Sequence, residues 1–288
     1  MNPTAWIGLT VMVVSQTATL LRVEPFWSWN TPIAWTGFIL FADGIVWNMR
    51  GNSWLRSNPK EFALLALASI PLWLVFEGYN RFIDNWYYIG LPENWWLRHF
   101  GYAWSFATIW PAIFEGAELV GVWRGKSTSP MGRSNDLRYR DAASGHNLSP
   151  ALKLSIALGL LMLACPFFVS RPVARYLAAP VWLGFIFLLD PINARWGGES
   201  LIVDLSRQRY DRVINLILSG SLCGVLWELW NFWSRAKWHY TVPILAEFKL
   251  FEMPAPGYLG FPAFALECLT MYVFVRRSVA KLGRTIAL

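Results

Sequence analysis

Trp35-Thr-Gly-Phe-Ile-Leu-Phe-Ala-Asp43-Gly-Ile recurs as Trp182-Leu-Gly-Phe-Ile-Phe-Leu-Leu-Asp190-Pro-Ile, with six identities in eleven ungapped positions. Working outward, Phe76-Glu77-Gly-Tyr-Asn80 is answered by Trp227-Glu228-Leu-Trp-Asn231, and Trp86-Tyr-Tyr88 by Trp238-His-Tyr240. Glu115 finds its counterpart in Glu267. The offset grows only from 147 to 152 residues, so the gaps between the copies are few and small. The chain reads as one ancestral half duplicated. Both copies kept carboxylates and amides inside apolar segments, where such groups are costly, and this points to a site shared by the halves.

Hydrophobic residues make up 55% of the chain and charged ones 15%. Apolar runs of membrane-spanning length recur throughout. A soluble protein of this length buries one large core and has no need of so many uninterrupted runs. The reading is an all-α integral membrane protein with eight spans, near 5–21, 32–48, 62–79, 99–122, 151–170, 174–191, 213–233 and 256–275. Residues 1–123 form a first four-helix repeat and 151–288 a second. The polar, Ser-, Gly- and Arg-rich stretch 124–150 is a cytoplasmic linker.

Lys and Arg set the orientation. The segments after spans two, four and six, with Lys153 and the C-terminal end, hold 17 of the 25 basic residues. Both termini are therefore expected in the cytoplasm, in a bacterial-type inner or plasma membrane. Four spans per half make the repeats parallel, related by an axis along the membrane normal. The net charge of +7 follows from this asymmetry, and basic residues that flank spans do not make a nucleic-acid patch. The N-terminal apolar stretch lacks a basic leader and reads as span one. Cys165, Cys223 and Cys268 all fall inside spans, too scattered for a metal motif or a disulfide framework, and read as buried thiols.

Two short motifs in the linker are set aside. Gly125-Lys126-Ser127-Thr128 imitates the tail of a phosphate-binding loop, but Val120 stands where the required Gly belongs. Asn147-Leu-Ser149 fits a glycosylation sequon on the cytoplasmic side. The two long outer loops, about 80–98 and 234–255, are unusually aromatic, with Trp86, Tyr87, Tyr88, Trp95 and Trp96 in the first. Trp238, Tyr240, Phe248 and Phe251 lie in the second. An interfacial belt accounts for such rings, yet the bias is one-sided. Loops this apolar are expected to fold back as partly helical, interfacial or re-entrant segments.

Three constellations carry candidate chemistry. In the first, Glu77 and Asn80, and Glu228 and Asn231, are spaced i, i+3 on one helical face near the outer ends of their spans. Trp227, Trp230, Trp86, Trp238, Tyr88 and Tyr240 complete a ligand-binding site around them. A carboxylate among aromatic faces makes a cation cage, or, protonated by burial, a general acid. The competing reading is a pair of helix-end ion pairs, Glu77 with Arg81 and Glu228 with Arg235. Phe232 at the position matching Arg81 weakens it. In the second, Glu115 and Glu267, with Glu118, suit a proton pathway or hydrogen-bond neighbouring helices. In the third, Arg50 and Arg195 follow Asp43 and Asp190 at inner helix ends. They suit an inner lipid head-group site, or plain helix termination with Ser53 and Ser200 capping the next segments.

His99, His146 and His239 offer no haem or zinc ligand set, and no metal site or cofactor is identified. The function expected is binding or translocation of an apolar or amphiphilic molecule, lipid-like or cationic, at the carboxylate and Trp site. Membrane lipids and a lipophilic or cationic ligand are the expected partners. Two alternatives stand beside it: a membrane-embedded acid–base enzyme acting on an isoprenoid-type lipid, and an accessory subunit docking a partner protein through the Trp-rich outer face. The Trp-Glu pair in a helix, with a second acid from another helix, resembles integral-membrane terpene and lycopene cyclases over a few residues.

Overall fold

A computed structural model describes residues 2–127 and 149–286 of the chain. The linker between them, with His146 and most of the Asn147 sequon, lies outside the described residues. The molecule is mostly helical. In chain order it comprises α1 (Pro3–Leu20), α2 (Phe26–Arg50), the short α3 (Trp54–Ser57), α4 (Pro59–Ile83), β1 (Trp86–Ile89) and α5 (Trp95–Trp123). After the linker come α6 (Pro150–Phe168), α7 (Arg171–Ala174), α8 (Ala178–Arg195), α9 (Leu201–Ser206) and α10 (Asp211–Trp233). Strands β2 (Lys237–Tyr240), β3 (Lys249–Leu250) and β4 (Met253–Pro254), a 3-10 turn at Ala255–Leu259 and α11 (Gly260–Ile286) complete it. Four segments, Pro59–Ile83, Pro150–Phe168, Asp211–Trp233 and Ala255–Leu282, are long and apolar enough to cross a membrane.

Local chemistry sets the helix ends. Asn2 accepts from the Ala5 amide at 3.0 Å before a Pro at the first helical position. Asn94 accepts from the Trp96 and Leu97 amides at 2.9 and 3.2 Å to start α5. Gly51, with φ +75°, ends α2 in the left-handed conformation that suits glycine. Near its start, α2 is kinked at Trp29, three residues before Pro32, whose ring nitrogen has no hydrogen to donate.

The packing comes in matching sets. Helix α1 lies on α2 through glycines: a Cβ on Gly8 would stand 2.3 Å from the Phe41 nitrogen and 2.5 Å from the Gly37 oxygen. Helix α6 lies on α8 in the same way, a Cβ on Gly159 meeting the Leu188 nitrogen at 2.5 Å and the Gly184 oxygen at 2.8 Å. Small residues let apolar helices approach where lipid removes the hydrophobic drive between them. Helix α2 packs on α5 and α8 on α11, while α4 packs on α5 and α10 on α11. Helix α5 also packs on α10, tying the first half of the chain to the second. There Ser219 Oγ donates to the Ile113 carbonyl at 2.7 Å, and Trp110 Nε1 donates to the Cys268 carbonyl on α11 at 3.0 Å. Outward faces are apolar: α6 buries only Gly159, Leu163 and Pro166, and Leu154, Leu160 and Leu161 are exposed.

The outer loops correct an expectation. They are helical only at their edges, in 80–83 of α4, 95–98 of α5 and the 3-10 turn from Ala255; between these β1 and β2 pair as an antiparallel two-stranded ribbon. The register is Trp86 with Tyr240, Tyr87 with His239, Tyr88 with Trp238 and Ile89 with Lys237. Aromatic residues favour the pleated conformation. Each strand also satisfies with the other the backbone groups that an apolar setting cannot.

Candidate functional site

Asn80 and Asn231 build the ribbon. Asn80 Nδ2 donates to the Trp86 carbonyl at 2.7 Å, and its Oδ1 accepts from the Asn85 and Trp86 amides at 2.8 and 3.2 Å. Asn231 Nδ2 donates to the Trp238 carbonyl at 2.9 Å, and its Oδ1 accepts from the Trp238 amide at 2.9 Å. Each side chain therefore pins the first Trp of its strand to the end of the preceding helix. Both amides are occupied by backbone.

Glu77 and Glu228, one turn earlier on the same faces, hold the strands' side chains. Glu77 Oε1 accepts from Trp73 Nε1 at 2.8 Å, from Trp86 Nε1 at 3.3 Å and from the Tyr88 hydroxyl. Glu228 Oε1 accepts from the Tyr240 hydroxyl at 2.8 Å, and Trp238 Nε1 donates to that hydroxyl at 2.8 Å. Burial first, and the neighbouring Glu second, push both phenols well above the usual tyrosine range. They stay neutral donors to the carboxylates. Arg235 pairs with Glu24 at 3.3 Å and not with Glu228.

Beneath the ribbon lies a cavity of about 510 Å³. Its wall is rich in aromatic rings, with Trp35, Trp73, Trp86, Trp182, Trp227 and Trp238 all contributing. These rings touch in series: Trp35–Trp227 at 5.8 Å, Trp227–Trp73 at 5.6 Å and Trp227–Trp238 at 5.5 Å between centroids. Phe264 joins them to Trp182 at 5.3 Å. Offset and edge contacts of this kind hold rings rigidly. Tyr88 and Tyr240 line the cavity with Glu77 and Glu228 behind them. The cavity is bounded by α2 and α5 at one end and by α8 and the start of α11 at the other.

The structure thus brings Glu77, Asn80, Trp86 and Tyr88 together with Glu228, Asn231, Trp227, Trp238 and Tyr240. Trp230 stands just behind, its ring 4.7 Å from Trp35 and its carbonyl accepting from Asn30 Nδ2 at 3.1 Å. The other predicted residues lie apart. Glu267 is fully buried on α11, one turn below Phe264, and Oε1 accepts from the Phe185 amide at 3.3 Å. Glu115 is fully buried on α5, and neither oxygen is hydrogen-bonded among the described residues. Arg50 forms an ion pair with buried Glu118, whereas Arg195 is exposed at the end of α8. Asp190 accepts from the Leu201 and Ile202 amides, both at 2.8 Å, and from Ser200 Oγ at 2.9 Å, capping α9. Asp43 likewise accepts from the Leu55 amide of α3 at 2.9 Å. His239 pairs with Glu252 at 2.9 Å and stacks on Tyr87. Among the described residues no group of three His, Cys, Asp or Glu side chains could hold a metal ion.

Sequence reasoning missed several cavity residues: Trp35, Trp182, Arg98, Tyr102 and Phe264. Trp35 and Trp182 had a signal, since each opens the repeated eleven-residue motif. The others carried none. No family model, curated protein or solved structure matches the chain.

Proposed function

We propose that this is an eight-span membrane protein of two parallel four-helix repeats that binds or translocates a lipid-like molecule in the cavity beneath its outer ribbon. Each expected span overlaps one of the eight long helices, which supports the span count. The repeat reading draws support from the glycine contacts of Gly8 with Gly37 and of Gly159 with Gly184. The ribbon register supports it further. Trp86 corresponds to Trp238 and Tyr88 to Tyr240, and each pairs with the other's counterpart about a centre at Tyr87 and His239. That is the self-complementary pattern a two-fold axis along the membrane normal produces. Both termini are then cytoplasmic, with the cavity on the outer side.

The observation that carries the reading is the Trp-walled cavity itself. Its size falls within the range of about 300–1,000 Å³ typical of small-molecule sites. It favours a lipid-like ligand over a cationic one, because both carboxylates that would neutralise a cation are engaged behind tyrosine hydroxyls. The test is mass spectrometry of lipids that co-purify with the protein. Gly101 and Gly260 line opposite ends of the cavity, and a Cβ added at either meets no contact closer than 3.9 Å. A Gly101→Phe/Gly260→Phe variant is expected to stay monodisperse and lose the enriched species. Equal retention in the two proteins would overturn the proposal.

The carboxylate-backed hydroxyls of Tyr88 and Tyr240 in the cavity wall favour a second reading, acid–base chemistry on an isoprenoid-type lipid. Chemical conversion of a bound isoprenoid, lost in Glu77→Gln or Glu228→Gln, would replace the first reading with this one.

A further inference from the structure

The two ends of the cavity differ in polarity. At the α2–α5 end the lining includes Ser28, Thr31, Arg98 and Ser105. At the α8–α11 end it includes Ala178, Ala179, Leu183, Leu259, Gly260 and Ala263, with Asn85, whose Nδ2 donates to the Arg175 carbonyl at 3.0 Å, as a polar side chain beside them. On the repeat reading, Thr31 corresponds to Ala178 and Arg98 to Leu250, at the offsets of 147 and 152 residues. Two features mark the polar end as built for a partner. The buried Thr31 hydroxyl has no hydrogen-bond partner among the described residues. Two cations near this end are neutralised, Lys237 by Glu252 at 2.7 Å and Arg235 by Glu24 at 3.3 Å. Among the described residues Arg98 is bound only through Nε, to the Pro92 carbonyl at 2.9 Å, leaving the fork of its guanidinium for an anion.

We infer that the cavity takes an amphiphile with an anionic terminus, a carboxylate or a phosphate, held by Arg98, with its tail running toward α8 and α11. The inference rests on the lipid-binding reading and deepens it. The tail meets mostly apolar and aromatic walls. The anion meets a charge-assisted fork at one end only, so the ligand is oriented.

The test uses the purified full chain and quenching of its tryptophans by mid-chain brominated probes: a fatty acid, the matching alkyl monophosphate, the methyl ester and the primary amine. The acid and the phosphate are expected to bind about ten to a hundred times more tightly than the ester and the amine. A stronger response to the acid points to a free fatty acid, and to the phosphate to a lipid monophosphate. Arg98→Gln is expected to remove the preference while ester binding persists. Gly260→Phe should weaken long acids and spare short ones, because its side chain fills the tail end. Equal affinity for acid and ester in the wild-type protein overturns the inference and leaves lipid binding standing; so does an anion preference that survives Arg98→Gln. Binding of no probe by the wild-type protein overturns both.

Discussion

Removing one amide from either half should loosen the lid of the cavity. Asn80 makes three hydrogen bonds to the entry of β1. At about 1 kcal/mol net for each bond, Asn80→Ala should cost about 3 kcal/mol. Asn231 makes two such bonds, but it is fully buried. Its truncation leaves a buried donor and a buried acceptor unpaired at about 1–3 kcal/mol each, so Asn231→Ala should cost about 2–6 kcal/mol. Asn80→Asp is the sharper probe. It keeps the acceptor for the Asn85 and Trp86 amides and sets an oxygen against the Trp86 carbonyl, where the amide now donates at 2.7 Å. It should therefore be no milder than alanine. The two sites share one ribbon, so the double variant should cost less than the sum of the singles. Thermal unfolding in detergent measures the cost, and amide hydrogen exchange at Trp86 and Trp238 reports where it is felt. Melting within about 0.5 kcal/mol of wild type, with ribbon exchange unchanged, would refute the assignment of these asparagines to strand anchoring.

Two further outcomes follow from the same geometry. Tyr88 and Tyr240 have phenols raised well above 10.0 in the folded protein, so their contribution to stability is complete below that value and is lost as pH rises through the folded pKa. In an alkaline ultraviolet titration these two of the ten tyrosines should stay un-ionised until the protein unfolds, and Tyr88→Phe/Tyr240→Phe should lower the late amplitude by two residues; smooth titration of every tyrosine before unfolding would contradict it. Gly8→Ala and Gly159→Ala force a Cβ into backbone atoms at 2.3 and 2.5 Å, and each should lower stability by about 1–3 kcal/mol, while Gly78→Ala, with nothing within 4 Å, should be neutral or slightly stabilising in the same melts.

The helices were legible because a membrane-length apolar run needs no partner to be recognised. Their ends were less so. The expected span 174–191 became a helix at Ala178–Arg195, because Ser170 and Pro172 open a separate short turn and the chain bends before α8 restarts. The span expected to end at 275 continues as helix to Ile286 with its basic residues carried along. The ribbon was not legible for a different reason. Three aromatic residues are too few to show a strand period, and the partner strand lies about 150 residues away, so only the fold creates the pairing. The i, i+3 spacing of Glu77 with Asn80 and of Glu228 with Asn231 correctly put each pair on one face. It did not reveal that the Glu reaches side chains and the Asn reaches backbone, since that depends on where the strand passes.

Retention in both halves therefore carries less functional information than it first suggests. The repeated Asn, Trp and Tyr positions are accounted for by architecture: a strand must be anchored, its register kept and its backbone paired in an apolar setting. Asp43 and Asp190 are accounted for in the same way, as caps of the two short inner helices. A residue needed to build a half is kept in both halves whatever the protein binds. Selectivity for one end of a ligand instead requires that the halves differ, because two equivalent ends hold a molecule equally well in either direction. The differences fall on Thr31 against Ala178 and Arg98 against Leu250, and three of these four residues line the cavity. On the proposed reading, the repeated set builds the chamber and the unrepeated Arg98 gives its ligand a direction.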